Sequence, residues 1–123
     1  MAIHQSKEDY LERILMLQNQ KGYAKSIDIA NELHFSRPSV SIAMKSLKND
    51  GYISIDEKGR IFLLDKGRKV AESVLERHEV LKKYLINIGV SPITAEEDAC
   101  KIEHCISEET FNAILSKYKN EYK

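Results

Sequence analysis

The sequence predicts a mainly α-helical protein in which a winged helix-turn-helix precedes a second, helical domain. Two observations predict this architecture. Residues 6–50 contain three stretches with apolar residues at helical spacing, followed by two short β-branched runs around a loop with a glycine. From Asp65 onwards, one long and two shorter helical patterns occupy the chain. We therefore expect two domains, 1–70 and 71–123, that share the long helix.

The first three helices are predicted from their caps and apolar stripes. Ser6 is a suitable N-cap for a first helix that extends to about Gln20. A second helix is expected from Ala24 to Leu33, and a tight connection leads to a third helix that Ser36 caps. The apolar residues of these three stripes are Tyr10, Leu11, Ile14, Leu15, Leu17, Ile27, Ile29, Ala30, Leu33, Val40, Ile42, Ala43, Met44 and Leu47.

A hairpin and a long helix are expected next. Residues 52–55 and 61–64 are apolar and β-branched, and they flank a loop that contains Gly59. This pattern is typical of two antiparallel strands joined by a turn. Asp65 then has the character of an N-cap, and the helix that it opens is expected to end near Ile88.

Two further helices are predicted at the end of the chain. Thr94 and Glu97 have the spacing of a capping box, which opens a helix to about Cys105. Ser107 starts the last helix. A lobe of this size cannot bury all of its apolar residues, so we expect a two-fold homodimer through these helices. The residues expected at that interface include Ile102, Ile106, Phe111, Ile114 and Leu115.

Composition and charge restrict the classes of function. The net charge is zero, but residues 1–70 carry twelve basic and nine acidic side chains, and residues 71–123 carry seven and ten. A basic end suits phosphate groups, and an acidic end suits cations. With no run of about 18 apolar residues and no apolar signal segment at the start, we expect a cytoplasmic protein without membrane contacts. The two cysteines are expected to be reduced thiols.

The third helix is the expected recognition helix. Polar side chains lie outside its core stripe, and its N-terminal turn is expected to enter the major groove of double-stranded DNA. Lys58 and Arg60 on the wing are expected to approach phosphates. The predicted DNA-binding residues are Ser36, Arg37, Pro38, Ser39, Ser41, Lys45, Lys58 and Arg60. The same order of elements also occurs in proteins that contact only protein, so an interaction module is an alternative.

Residue types that bind metals occur together near the end of the chain. Cys100 precedes Glu103 by three residues and His104 by four, so a helix would present all three on one face. Thiolate, carboxylate and imidazole groups ligate first-row divalent metals. Asp9 and Glu12 repeat the three-residue spacing in the first helix. A metal site beside a DNA-reading module suggests a metal-responsive transcription factor.

Each of these residues also has an ordinary explanation. Asp9 suits the first turn of a helix, where the dipole favours an acid, and Glu12 alone would be a surface acid. Cys100 alone would be a small buried hydrophobe, and an isolated histidine such as His78 is more often packed or exposed than a ligand. The residues that we interpret as non-ligands are His4, His34 and, as a packing residue, Cys105.

Seven stretches carry a family pattern in a constant order. They are 8–14 (EDYLERI), 22–30 (GYAKSIDIA), 36–41 (SRPSVS), 48–53 (KNDGYI), 65–69 (DKGRK), 76–81 (ERHEVL) and 99–107 (ACKIEHCIS). Through these stretches, nearly the whole chain resembles the diphtheria-toxin-repressor family of metal-dependent regulators. The last two stretches are the most specific. The resemblance implies a homodimer in which binding of a divalent metal promotes operator binding and represses metal-uptake genes.

The resemblance also implies the metal ligands. The matching positions are Asp9, Glu12 and His78 for the manganese-sensing branch, and Glu103 and His104 for the family as a whole. Cys100 departs from the manganese branch, which has a carboxylate there, and matches the cysteine of the iron-sensing branch. Lys82 and Glu96 stand where a second site of the iron branch would need a carboxylate and a histidine, so that second site is not expected. From the length of 123 residues we expect the shorter manganese architecture, without the SH3-like third domain of the iron branch.

The donor set limits the choice of cofactor. Carboxylates suit Mn²⁺ or Fe²⁺, whereas a thiolate shifts the preference towards Fe²⁺, Co²⁺ or Zn²⁺. We therefore expect one or two Mn²⁺ or Fe²⁺ ions, with Co²⁺ or Zn²⁺ possible in vitro. One alternative is a metal-independent winged-helix regulator, in which these residues are surface polar groups. A small metalloenzyme is another, but the sequence has no Ser/His/Asp or P-loop signature, and we expect neither catalysis nor a small organic ligand.

Overall fold

The computed structural model describes residues 5–121 and the side chains of residues 7–118. The elements are α1 (Gln5–Lys21), α2 (Ser26–Leu33), α3 (Arg37–Asn49), β1 (Ile53–Ile55), β2 (Ile61–Leu63), α4 (Asp65–Asn87), α5 (Pro92–Ile102) and α6 (Glu108–Glu121). They form two compact units that divide between Ser73 and Val74, within α4. The order of elements confirms the predicted fold class. Among the described helices, none combines the length and the apolar character needed to cross a membrane.

The first unit has an apolar core built from α1, α2, α3 and the hairpin. Its largest fully buried apolar side chains are Leu11, Ile14, Ile29, Val40, Met44, Leu47, Ile53 and Ile61. Burial of one such side chain contributes about 1.5–3 kcal/mol, so these stripes hold the recognition helix in place. Ile42 was predicted in the stripe of α3, but it is 69% exposed. A step of two residues along a helix corresponds to a rotation of about 200°, so the side chain of Ile42 points away from the side that Val40 and Met44 share.

The starts of α1 and α2 differ from the prediction. Ser6 lies inside α1, which already includes Gln5, so Ser6 is not its N-cap. α2 begins at Ser26 because Ala24 pairs with Ile61 of the hairpin instead of joining the helix. The Ala24 N–H donates to the Ile61 carbonyl at 3.2 Å, and the Ile61 N–H donates to the Ala24 carbonyl at 2.7 Å. His4, interpreted above as a non-ligand, lies outside the described residues.

The wing is a short antiparallel hairpin whose loop is closed by an aspartate. In its register, Ser54 pairs with Phe62. Asp56 Oδ1 accepts the main-chain N–H groups of Lys58 at 2.9 Å and Arg60 at 2.8 Å. An aspartate commonly stabilises a turn in this way. The closed loop therefore presents Lys58, which is exposed, at the tip of the wing.

A glycine allows α4 to begin close to the residue that leads into the wing. A Cβ atom on Gly67 would overlap the carbonyl oxygen of Tyr52. That carbonyl also accepts the N–H of Leu64 at 3.0 Å, so the hydrogen bond holds it in position. The ammonium group of Lys66 lies 4.2 Å from the centre of the Tyr52 ring. The first turn of α4 is thus packed directly on the segment between α3 and β1.

The second unit buries residues from α4, α5 and α6. Its buried apolar side chains include Val74, Val80, Leu81, Ala95, Ala99 and Phe111. The guanidinium group of Arg77 lies 5.2 Å from the centre of the Phe111 ring, which links α4 to α6. The predicted start of α6 is confirmed, because Ser107 Oγ accepts the N–H of Thr110 at 3.1 Å.

Both ends of α5 differ from the prediction. The helix begins at Pro92 with Ser91 as the N-cap residue, so Thr94 lies inside the first turn and does not open a capping box. Proline at the first helical position has a suitable φ and lacks only an N–H that would be unpaired there. The helix ends at Ile102, before the predicted end at Cys105. Cys105 is exposed, so its interpretation as a packing residue is wrong.

Candidate metal centre and nucleic-acid interface

His78 lies in α4, and each of its two ring nitrogens faces a carboxylate. Nδ1 is 3.1 Å from Glu103 Oε2, and Nε2 is 2.9 Å from Glu96 Oε1. The His78 side chain is only 8% exposed. His78 is therefore a buried histidine with a carboxylate at each ring nitrogen.

Glu103 is a buried carboxylate in the turn that follows α5. Its side chain is 1% exposed, and its two oxygens lie 3.1 Å from His78 Nδ1 and 3.2 Å from His104 Nε2. Arg77 donates a hydrogen bond to the main-chain carbonyl of Glu103 at 3.2 Å. Because a buried carboxylate is costly without partners, the neighbouring imidazoles offset its loss of solvation. The side chains of Glu103 and His104 are therefore buried and are not surface polar groups.

Cys100 completes a donor set of three side chains. Its Sγ lies 3.7 Å from His78 Nδ1, and one donor atom from each of His78, Cys100 and Glu103 lies within 4.8 Å of the others. Although α5 ends at Ile102, Glu103 keeps helical torsion angles of φ −56° and ψ −26°. Cys100 and Glu103 consequently stay on one face. The set fits a divalent transition metal, since imidazole, thiolate and carboxylate are its usual ligands.

The charges around His78 favour its protonated form when no metal is bound. The pKa of His78 is raised from 6.5 to about 9, chiefly by the hydrogen bond with Glu103, with burial opposing and Glu96 adding to the effect. The pKa of Glu96 is lowered, chiefly by the hydrogen bond from Lys82. A metal at Nδ1 would have to displace the proton that the folded protein holds there at neutral pH.

The other predicted ligands lie on α1 and after α5. Asp9 and Glu12 belong to the first unit, are half-buried and lie one turn apart on α1. The pKa of Tyr10 is raised, first by burial and then by the negative charge of Asp9. His104 lies in the second unit, where its side chain is 2% exposed and contacts Glu103. The second unit thus brings its four predicted ligands together, and the roles of Asp9 and Glu12 stay predictions.

The N-terminal turn of α3 is exposed and capped as predicted. Ser36 Oγ accepts the N–H of Ser39 at 3.2 Å, and the two hydroxyl groups lie 2.8 Å apart. Ile42, whose apolar character predicted a core residue, lies on the exposed side of the same helix. The exposed residues of this surface are Ser36, Arg37, Pro38, Ser39, Ser41, Ile42 and Lys45.

The two predicted cations of the wing differ in their surroundings. Lys58 is exposed at the loop tip. Arg60 is half-buried, and its Nε lies 2.6 Å from Asp56 Oδ2. Its guanidinium carbon also lies 6.0 Å from the centre of the Tyr23 ring. Arg60 therefore helps to hold the wing together, and Lys58 is the more accessible of the two for a phosphate.

Two residues near His78 were not predicted to be its partners. Lys82 Nζ lies 2.9 Å from Glu96 Oε2, and Glu96 in turn contacts His78. Lys82 follows His78 by four residues, and Glu96 precedes Cys100 by four, so each pair shares a helix face. That spacing was the signal in the sequence that could have found them.

Two family models match nearly the whole chain. The model described as "Iron dependent repressor, N-terminal DNA binding domain" matches residues 2–60. The model described as "Iron dependent repressor, metal binding and dimerisation domain" matches residues 64–120. The first match covers α1 to the wing loop, and the second covers α4, α5 and most of α6 with the donor set.

Named relatives are transcriptional regulators. The Salmonella typhimurium protein named transcriptional regulator MntR is 37% identical over 109 residues, which are 89% of this chain and 69% of that protein. The Geobacillus kaustophilus protein named HTH-type transcriptional regulator MntR is 38% identical over 109 residues, 89% of this chain and 75% of that protein. These names agree with the expectation that the chain is not an enzyme.

Solved structures share the fold. The crystal structure of T. acidophilum IdeR matches with a TM-score of 0.83 and 28% identity, covering 97% of this chain and 55% of that one. The structure of the manganese regulator SloR matches with a TM-score of 0.79 and 27% identity, covering 93% of this chain and 53% of that one. This chain spans about half the length of these two. It belongs to the iron-dependent, or diphtheria-toxin, repressor family of metal-dependent DNA-binding transcriptional regulators.

Proposed function

We propose that this chain is a metal-activated repressor that binds a double-stranded DNA operator as a homodimer and controls genes of metal homeostasis in the cytoplasm. The observation that carries the proposal is the donor set of His78, Cys100 and Glu103. It lies in the unit that follows a winged helix-turn-helix, so one chain combines a DNA-binding motif with a candidate metal site.

We propose six residues as the metal ligands. They are Asp9, Glu12, His78, Cys100, Glu103 and His104. Bound Mn²⁺ or Fe²⁺ would supply a concentrated positive charge that several carboxylates can share. His78 would present Nδ1, Glu103 its carboxylate and Cys100 a thiolate. The thiolate shifts the preference from Mn²⁺ towards Fe²⁺, and it makes Co²⁺ and Zn²⁺ effective substitutes in vitro.

In the proposed mechanism, metal binding would favour one separation of the two recognition helices of a dimer. Asp9 and Glu12 belong to the DNA-binding unit, and the other four proposed ligands belong to the second unit. In a dimer the two recognition helices must lie about 34 Å apart to enter successive major grooves. Favouring that separation by about 1–3 kcal/mol would tighten operator binding about 5–150-fold.

The apolar surface of the second unit supports the homodimer. Ile88 and Ile93, at the connection between α4 and α5, are 58% and 77% exposed, and Ile86 is 38% exposed. Burial of such residues in a second copy would remove apolar area from water. Phe111, predicted at the interface, is already 5% exposed within its own unit, so we assign it to the unit's core.

The exposed face of α3 and the wing have different proposed roles in DNA binding. We propose that Arg37 and Ser39 contact base edges and that Ile42 makes an apolar contact with a thymine methyl group. Lys58 and Arg60 would contact phosphates, which gives affinity without sequence preference.

The proposal is tested by measuring operator affinity under anaerobic conditions. An operator is first selected from random DNA in the presence of Mn²⁺. Its affinity is then measured with chelator and with Mn²⁺, Fe²⁺, Co²⁺ and Zn²⁺ in turn, for the wild type, Glu103→Gln and the exposed control Glu109→Gln. We expect metal to tighten binding about 5–150-fold in the wild type and the control, and to have little effect in Glu103→Gln.

Other outcomes would favour the alternatives. Operator affinity that does not change on chelation would indicate a metal-independent regulator. Absence of any salt-dependent DNA binding would indicate a protein-interaction module.

A further inference from the structure

Four side chains of α4 and α5 form a continuous chain of contacts that leads to the donor set. Lys82 Nζ lies 2.9 Å from Glu96 Oε2, and Glu96 Oε1 lies 2.9 Å from His78 Nε2. On the other side of the ring, His78 Nδ1 lies 3.7 Å from Cys100 Sγ. His78 and Lys82 are four residues apart on α4, and Glu96 and Cys100 are four apart on α5, so two helix faces meet.

The two ring nitrogens of His78 therefore have different surroundings. Nδ1 faces Cys100 and Glu103, whose donor atoms lie within 4.8 Å of it and of each other. Nε2 faces Glu96, a carboxylate that already contacts an ammonium group. A neutral imidazole has one N–H and one lone pair. When Nε2 carries the hydrogen and donates to Glu96, the lone pair of Nδ1 points into the donor set.

Glu96 differs from Glu103 in ways that suit a supporting position. The side chain of Glu96 is 48% exposed, whereas that of Glu103 is 1% exposed. The ammonium group of Lys82 is a positive charge next to Glu96, and it would repel a cation bound directly to that carboxylate. Glu96 is consequently suited to accept hydrogen bonds from His78 and Lys82 and not to bind metal itself.

We infer that Glu96 is a positioning residue of the metal centre: it accepts the Nε2–H of His78, selects the tautomer in which Nδ1 coordinates, and stays outside the coordination sphere because Lys82 holds its other oxygen. The inference rests on the proposed function, since it requires His78 to be a ligand. Carboxylates that support metal-bound histidines in this way raise metal affinity about 10–100-fold.

The first experiment measures metal affinity of the full chain at constant pH. Co²⁺ is titrated in competition with a chelator for the wild type, Glu96→Leu, Glu96→Gln and Glu97→Gln. Glu97 is the exposed neighbour of Glu96 on α5, and its substitution removes the same charge. We expect Glu96→Leu to weaken binding about 10–100-fold, Glu96→Gln to weaken it less because the amide oxygen still accepts, and Glu97→Gln to change it by less than about twofold. Stoichiometry and the Co²⁺ spectrum should be the same in all four proteins.

The second experiment reads the tautomer of His78 in the wild type, so its main result does not depend on how Glu96→Leu folds. With ¹⁵N-labelled histidine and bound Zn²⁺, NMR should show His78 with Nδ1 on the metal and a proton on Nε2. Substitution His78→Asn assigns the signal. In Glu96→Leu the Nε2 proton should shift and exchange faster with water, because its acceptor is gone.

The outcomes separate this inference from the proposed function. Zn²⁺ on Nε2, or equal affinities for Glu96→Leu and Glu97→Gln, would overturn the positioning role and leave the metal site intact. A changed Co²⁺ spectrum or stoichiometry in Glu96→Gln would make Glu96 a direct ligand, which also overturns it. Wild-type protein that binds no metal, or unchanged affinity in His78→Asn, would instead refute the proposed site.

Discussion

Replacing His78 should change how the stability of the metal-free protein depends on pH. In the folded chain the pKa of His78 is raised to about 9, chiefly by the hydrogen bond with Glu103, whereas its ordinary value is 6.5. A difference of roughly 2.5 units corresponds to about 3 kcal/mol of folding free energy. That is a large contribution, since small domains have net stabilities of about 5–15 kcal/mol.

The direction follows from which state holds the proton. Below pH 6.5 the folded and unfolded chains both carry it, so the full stabilisation from His78 is present. Between 6.5 and about 9 only the folded chain holds the proton, and the free energy of unfolding falls as pH rises. The slope from this group reaches about 1.4 kcal/mol per pH unit. Once the pH exceeds the folded pKa of about 9, the contribution is lost.

Urea unfolding with excess chelator tests this expectation for the wild type, His78→Asn and His34→Asn. His34 is exposed and has φ 58°, a backbone conformation that asparagine tolerates, so it serves as the control histidine. The stability difference between the wild type and His78→Asn should shrink by about 3 kcal/mol from about pH 6 to about pH 9.5. The change of this difference with pH should be larger for His78→Asn than for His34→Asn. A constant difference for His78→Asn would refute the assigned ion pairs.

Three further predictions concern the metal, the fold and DNA. In Cys100→Asp the affinity for Mn²⁺ relative to Co²⁺ should rise, and the sulfur-to-Co²⁺ charge-transfer band should disappear. The control Cys105→Ser should keep the band. A band that persists in Cys100→Asp would exclude Cys100 as a ligand. Gly67→Ala should lower the free energy of unfolding by about 1–3 kcal/mol in urea titrations, because its Cβ would overlap the Tyr52 carbonyl; wild-type stability would contradict that clash. Lys58→Ala should weaken binding to all DNA sequences alike and reduce the salt slope by about one unit, and altered sequence preference would count against a phosphate contact.

Signals between neighbouring residues determined most of the fold. Helical periodicity identified the six helices among the described residues, and β-branched runs around a glycine identified the hairpin. The cap of α3 was predictable because Ser36 and its partner Ser39 are three residues apart. For the same reason, the spacing of Cys100 and Glu103 was enough to indicate a shared face. Such interactions occur within about one helical turn, so the local sequence specifies them.

Packing between elements that are distant in sequence determined which local signals persisted and which side chains came into contact. Ala24 lies outside α2, although it was predicted in that helix, because its main chain pairs with that of Ile61 on the hairpin. Ile42 faced solvent because the core of the first unit covered the opposite side of α3. His78 met Glu96 and Glu103, which lie 18 and 25 residues further along the chain. No period of a helix or strand encodes such separations: they arise when apolar faces pack, and burial then determines which polar groups must pair.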